Sequence, residues 1–159
     1  MSTDFFNIAG IFKANTDLFK KTLQGIPPDR LLIKPGDDSN HLMWIAGHVV
    51  VHRAIVPKIL GQEWSAPWEG LFARGAKLTA ADQYPGIEEI MRAWDEVSGR
   101  LSSSMASASP EALAEPVSKG ITLDGKISGK IAFLSLHESY HVGQMAYLRK
   151  WLGFGQAVG

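Results

Sequence analysis

Four stretches of this chain repeat apolar residues every three or four positions, and that period, held over about twenty residues each time, specifies amphipathic α-helices. The first runs from about Thr3 to Gln24, with Phe5, Ile8, Phe12, Phe19 and Leu23 on one stripe. Gly25 and the pair Pro27-Pro28 then stop it. The second opens near Ser39, a residue type that caps helix N-termini, and runs toward Leu60 and Gly61. Its inner stripe is His41, Ile45, His48, His52 and Ile55. Pro57 should clash with the carbonyl of Arg53, which predicts a kink or an early end. The third runs from about Gly86 to Ala106 on Ile87, Ile90, Trp94, Val97, Leu101 and Met105. The fourth runs from about Ser128 to Trp151, with Ile131, Leu134, His137, His141, Met145, Leu148 and Leu152 on one face. Gly153 suits its C-terminus, and Arg149 and Lys150 suit the negative end of its dipole.

Strand signals are weak, so the expected fold is all-α. It is a four-helix bundle in one domain spanning 1–159, with long loops between helices 2 and 3 and between helices 3 and 4. The loop from Gln62 to Pro85 holds Trp64, Pro67, Trp68 and Phe72. It is expected to be a functional lid or a loop packed by its own side chains, with room for a short helical turn, and to shape the pocket of a metalloenzyme. The loop from Ser107 to Gly129 is rich in Ser, Pro and Gly and serves as a crossover.

Charge and composition exclude several functions. Sixteen Lys and Arg balance sixteen Asp and Glu, so the chain lacks the basic excess of a nucleic-acid-binding protein. It has no cysteine, which rules out disulfides, thiolate ligands and a cysteine nucleophile and fits a reducing cytosol. Met1 to Asn7 lack a signal-peptide pattern, and no window reaches the roughly 18 apolar residues of a spanning helix. The expected setting is the cytoplasm, with no membrane and no nucleic acid as partner.

The candidate chemistry lies in the histidines. Four of the five form two i, i+4 pairs, His48 with His52 and His137 with His141. Residues four apart on a helix point the same way, so each pair can offer two imidazoles to one ion. The alternative is a set of core histidines satisfied by hydrogen bonds alone. His137-Glu138-Ser139-Tyr140-His141 is a literal H-E-x-x-H, the zinc-protease motif in which the glutamate activates water. Those enzymes commonly take a third ligand downstream, but residues 142 to 159 contain no His, Asp or Glu. Glu138 is then expected beside the site or on the solvated surface. The third ligand must come from upstream. His48, mid-helix on an apolar stripe, is the first candidate, and His52, one turn on, competes with it. His41, near the helix start, is expected to face solvent. Three imidazoles leave coordination positions open, which favours catalysis or small-molecule binding over a closed structural site.

Asn40-His41-Leu42 through Gly47-His48, followed by His137-x-x-x-His141-x-Gly143-Gln144 and Tyr147-Leu148-Arg149 and the terminal Leu152-Gly153, resembles the DinB-like family. That resemblance implies a four-helix bundle with a divalent metal on His48, His137 and His141, often zinc or nickel, and frequently a homodimer. Its characterised members include transferases and isomerases that use low-molecular-weight thiols. The implied function is a metalloenzyme acting on a small molecule, by thiol-dependent transfer or metal-assisted hydrolysis. The alternative is a non-catalytic metal-binding stress-response protein. Gln144, one turn after His141, is expected either to hydrogen-bond a ligating imidazole or to lie on the surface. Tyr140 and Tyr147 are expected to pack. Arg149 is a candidate grip for an anionic group, and Lys119 and Lys126 are expected to be solvated. Trp44, Trp64, Trp68, Trp94 and Trp151 are expected in the core or pocket wall.

Overall fold

A computed structural model describes residues 3–157, and among them no strand forms. The helices are α1 (Thr3–Leu23), α2 (Leu42–Arg53), α3 (Ile55–Ile59), α4 (Ile87–Ser107), α5 (Pro110–Ala114) and α6 (Ile127–Trp151). Helix α1 packs on α6, α6 on α2, α2 on α4, and α1 also touches α4. Each long helix buries most of the stripe expected of it. Phe5, Phe12, Phe19 and Leu23 of α1 are buried, as are Ile90, Trp94, Val97, Leu101 and Met105 of α4.

Helix α2 is the centre of the arrangement: every residue from Leu42 to Val50 is buried. With α3 it makes the stretch Leu42–Ile59, which, against expectation, is long and apolar enough for a membrane span. Within this fold 72% of that stretch is buried inside the protein, which accounts for its hydropathy. The helix breaks where Pro57 predicts, because Pro57 has no N–H for the carbonyl of Arg53. Helix α2 ends at Arg53, Ala54 forms a turn, and α3 resumes the path.

The N-terminus of α2 differs from expectation. The cap is His41, not Ser39: its Nδ1 accepts from the Trp44 N–H at 3.0 Å. His41 is therefore buried, at 5% exposure, rather than facing solvent. An imidazole can serve because it reaches an N–H that the first helical turn leaves unpaired. Two other expectations fail on α6. Tyr140 and Tyr147 are 62% and 66% exposed, because the face they share is not the one packed on α1 and α2. Trp151 is also exposed, while Trp44, Trp64, Trp68 and Trp94 are buried. At the end of α6, Gly153 adopts the left-handed φ of +89° that closes the helix.

The apolar core forms two clusters. One includes Phe19, Val49, Trp94, Val142 and Met145, and the other includes Phe5, Phe12, Val56, Leu101, Ile131 and Leu134. Between them, at matching levels of four helices, lies a polar layer: Asn15 and Thr16 of α1, Arg53 of α2, Ser98 of α4 and Glu138 of α6.

The aromatic loop is folded onto this frame. A 3-10 turn at Glu69–Phe72 carries Phe72 onto Gly47 of α2, where a Cβ would overlap the ring. Trp64, Trp68 and Phe72 meet edge to face, and Trp68 Nε1 donates to Glu89 at 2.6 Å. Trp44 Nε1 donates to the Leu71 carbonyl at 3.2 Å. The loop is thus packed by its own aromatics and tied to the helices on both sides.

Candidate metal centre

Because α2 packs against α6, the two i, i+4 histidine pairs face one another, and all four rings gather in one place. Ring centroids lie 4.1 Å apart for His48 and His52, 4.4 Å for His137 and His141, 4.8 Å for His48 and His141, and 5.4 Å for His48 and His137. His48 is buried, and the other three are half-buried and open to solvent.

Two of the rings are fixed in tautomer by what holds them. His48 Nδ1 lies 2.7 Å from the Phe72 carbonyl, which can only accept, so Nδ1 carries the proton and Nε2 the lone pair. His141 Nδ1 lies 2.7 Å from Gln144 Oε1, which assigns the same tautomer. Both Nε2 atoms are therefore bases without a proton. His141 Nε2 sits 3.1 Å from His137 Nε2. Two nitrogens held at about 2.0–2.1 Å from one tetrahedral ion lie about 3.3 Å apart, close to that spacing. His137 Nδ1 is buried and finds no hydrogen-bond partner. An orphaned polar atom beside unprotonated nitrogens leaves the cluster able to take a metal ion.

His48, His52 and His137 each offer a ring nitrogen within 4.8 Å of the others, so His52 also belongs to the cluster. Its orientation differs from that of His141. The His52 and His137 rings are nearly parallel, 28° apart with centroids at 4.4 Å. His141, which is not in that grouping, crosses His137 at 73° and His48 at 77°.

Every imidazole here is held toward its neutral form. Burial is the first cause for each, and it moves His48 and His141 below the ordinary 6.5. His137 falls to about 4, through burial and then the charges of His141, His48 and Arg74. His52 falls to about 3, through burial and then His48, His137, His141 and Arg74. Neutral imidazoles are the form that binds metal.

Glu138 is neither at the site nor on the surface. It is buried and pairs with Arg53, which donates from Nε to Oε2 at 2.8 Å and from Nη2 to Oε1 at 2.7 Å. Following His137 by one residue, it leaves α6 about 100° around the helix, toward the polar layer. The H-E-x-x-H string therefore places two imidazoles in the cluster with a structural glutamate between. Sequence reasoning did not find Arg53 as its partner, although Arg53 and Lys58 are the only two Lys, Arg, Asp or Glu residues in the run Leu42–Ile59, and a charge in such a run is a signal that some acid must meet it. Arg149, a candidate anion grip, donates to the Gln24 carbonyl. Arg74, which no local pattern marks, brings its charge to bear on His52 and His137.

The family model of the DinB superfamily matches residues 11–145, most of the chain and the whole of this site. No curated protein matches the chain.

Proposed function

This chain belongs to the DinB superfamily, and we propose that it is a cytoplasmic four-helix-bundle metalloprotein whose His48, His137 and His141 hold one divalent ion, zinc or nickel. We further propose that it acts on a small molecule, first as a thiol-dependent transferase and second as a metal-assisted hydrolase. The observation that carries this reading is the pair of tautomers: Phe72 and Gln144 each hold an Nδ1–H, leaving the Nε2 atoms of His48 and His141 as unprotonated bases within the cluster. Such partners orient ligating imidazoles and raise their basicity. A divalent ion on three imidazoles supplies Lewis acidity, lowering the pKa of a bound water or thiol and polarising an electrophile. The chain's own residues orient and exclude. Phe72 walls the site beside His48, and Arg53 withholds Glu138 from any role as a base. Having no cysteine, the protein requires a thiol from outside.

A homodimer is supported by an exposed apolar stripe on α6. Leu136, Tyr140, Tyr147 and Trp151 lie symmetrically about Gly143-Gln144. Two antiparallel copies of α6 therefore pair Leu136 with Trp151 and Tyr140 with Tyr147, the self-complementarity that a two-fold interface needs.

A second reading follows from the His48, His52 and His137 grouping. If His52 is a fourth ligand, the site is closed and the protein is a non-catalytic metal-binding stress-response protein. Metal content by mass spectrometry, on untagged protein, tests both. The expected result is about one ion per chain in the wild type, lost in His48→Ala and kept in His52→Ala. Loss in both variants favours the closed site. No metal in the wild type, even after incubation with zinc and nickel, sinks the metal centre altogether.

A further inference from the structure

We infer that the turn Glu69–Phe72 is a clasp on His48, closed by Trp44, so that seating of the aromatic loop and ion binding are one linked equilibrium. The inference rests on the metal reading above and names what regulates that site: the loop, with Trp44 as a positioning residue.

The clasp begins in the hydrogen bonding of the turn itself. Its own bonds use the Trp68 carbonyl, which accepts from the Leu71 N–H at 3.0 Å, and the Gly70 carbonyl, which accepts from the Ala73 N–H at 3.4 Å. The carbonyls of Leu71 and Phe72 come last, where a helical ladder has no N–H left to offer. Donors from α2 take them instead. Trp44 Nε1 reaches the Leu71 carbonyl at 3.2 Å, and His48 Nδ1 reaches the Phe72 carbonyl at 2.7 Å. Trp44 and His48 are one helical turn apart, and their rings stack with centroids at 4.8 Å and planes 15° apart. Two consecutive carbonyls thus grip two stacked rings. The stack fixes the plane of the imidazole, and the Phe72 carbonyl fixes which nitrogen is left for the cluster. Trp44, His48 and Phe72 are all buried, so no water stands ready to replace either bond. The seat also needs Gly47, because the Phe72 ring occupies the place of any side chain there.

The coupling runs both ways. The bond from Nδ1–H to Phe72 makes Nε2 a better donor of its lone pair, and an ion on Nε2 makes Nδ1–H a stronger hydrogen-bond donor. Opening the loop breaks that bond and so weakens the ion, and by linkage the ion opposes opening by the same factor. Loss of such a partner lowers metal affinity by about tenfold or more, so a bound ion should make loop opening about tenfold rarer.

The test is amide hydrogen exchange of the whole protein with and without saturating zinc, with zinc content measured on the same samples by mass spectrometry. Zinc should slow exchange of the Leu71 and Ala73 amides about tenfold. It should leave unchanged the Val117 amide, which is bonded to the Gly125 carbonyl at 2.9 Å in the crossover loop. Trp44→Phe removes the Nε1 donor while keeping a ring over His48. It should speed exchange at Leu71 and Ala73 about fivefold, with zinc and without. Bound zinc that does not slow Leu71 and Ala73, or that slows Val117 as much, overturns the linkage. An unchanged rate in Trp44→Phe overturns the part given to Trp44. If that variant does not fold, the zinc comparison on the wild type decides alone. If no zinc binds, the metal reading fails and the inference falls with it, a result distinct from bound zinc that leaves the loop unmoved.

Discussion

His52 and Arg53 are neighbours on α2, and His137 and Glu138 are neighbours on α6, but the two layers they build differ in one respect: whether their polar groups are satisfied. Arg53 spends all five N–H groups. Besides Glu138 it donates to Thr16 Oγ1 at 2.8 Å, Ser98 Oγ at 2.6 Å and the Phe12 carbonyl at 2.9 Å, and its guanidinium lies 3.6 Å from the Trp94 ring centroid. Glu138 in turn accepts from Asn15 at 3.1 Å. This layer joins α1, α2, α4 and α6 and lacks nothing. One turn away the histidines leave an orphaned Nδ1 and two unprotonated Nε2 atoms around a shared space. Saturation marks the layer that holds the fold, and deficit marks the layer proposed to take an ion.

The largest effect that would break this contrast lies in the saturated layer. Glu138→Ala strands a buried guanidinium and should cost about 3–5 kcal/mol in urea unfolding. The double variant Arg53→Met, Glu138→Leu removes both charges and should lose much less than the two single changes summed. Additive losses would show that the pair is not one unit.

A smaller effect separates affinity from stability. Gln144→Ala removes the acceptor that orients His141, so metal affinity should fall by about 10–100-fold. The urea midpoint of the metal-free protein should stay within about 0.5 kcal/mol of the wild type. A large loss of metal-free stability would make Gln144 part of the structural layer instead.

A further effect is in acid. His137 and His52 hold folded values of about 4 and about 3, below the ordinary 6.5 of an unfolded chain. A depressed value means that the unfolded chain binds protons more readily. Their contribution is whole above pH 6.5 and declines as pH falls through the window from 6.5 to about 3. Urea midpoints of the metal-free protein across that window should show the decline, and His137→Leu should make it shallower. An unchanged slope in His137→Leu would mean that the cluster is not what titrates.

Much of this molecule is local and therefore legible in the chain itself. Apolar period decides which residues make helices, Pro57 decides where α2 breaks, Gly153 closes α6, and i, i+4 spacing puts two imidazoles on one face of each of two helices. The pairing of Glu138 with Arg53, 85 residues apart, is not local, and neither is the choice of His41 over Ser39 as a cap, nor the outward turn of Tyr140 and Tyr147. The rotation of α6 against α1 and α2 settles those. It decides which of two adjacent residues meets a buried charge and which meets three other imidazoles. Helix period is written in neighbouring residues, whereas the partner of a buried polar group is whatever the packing of distant helices brings within hydrogen-bond reach.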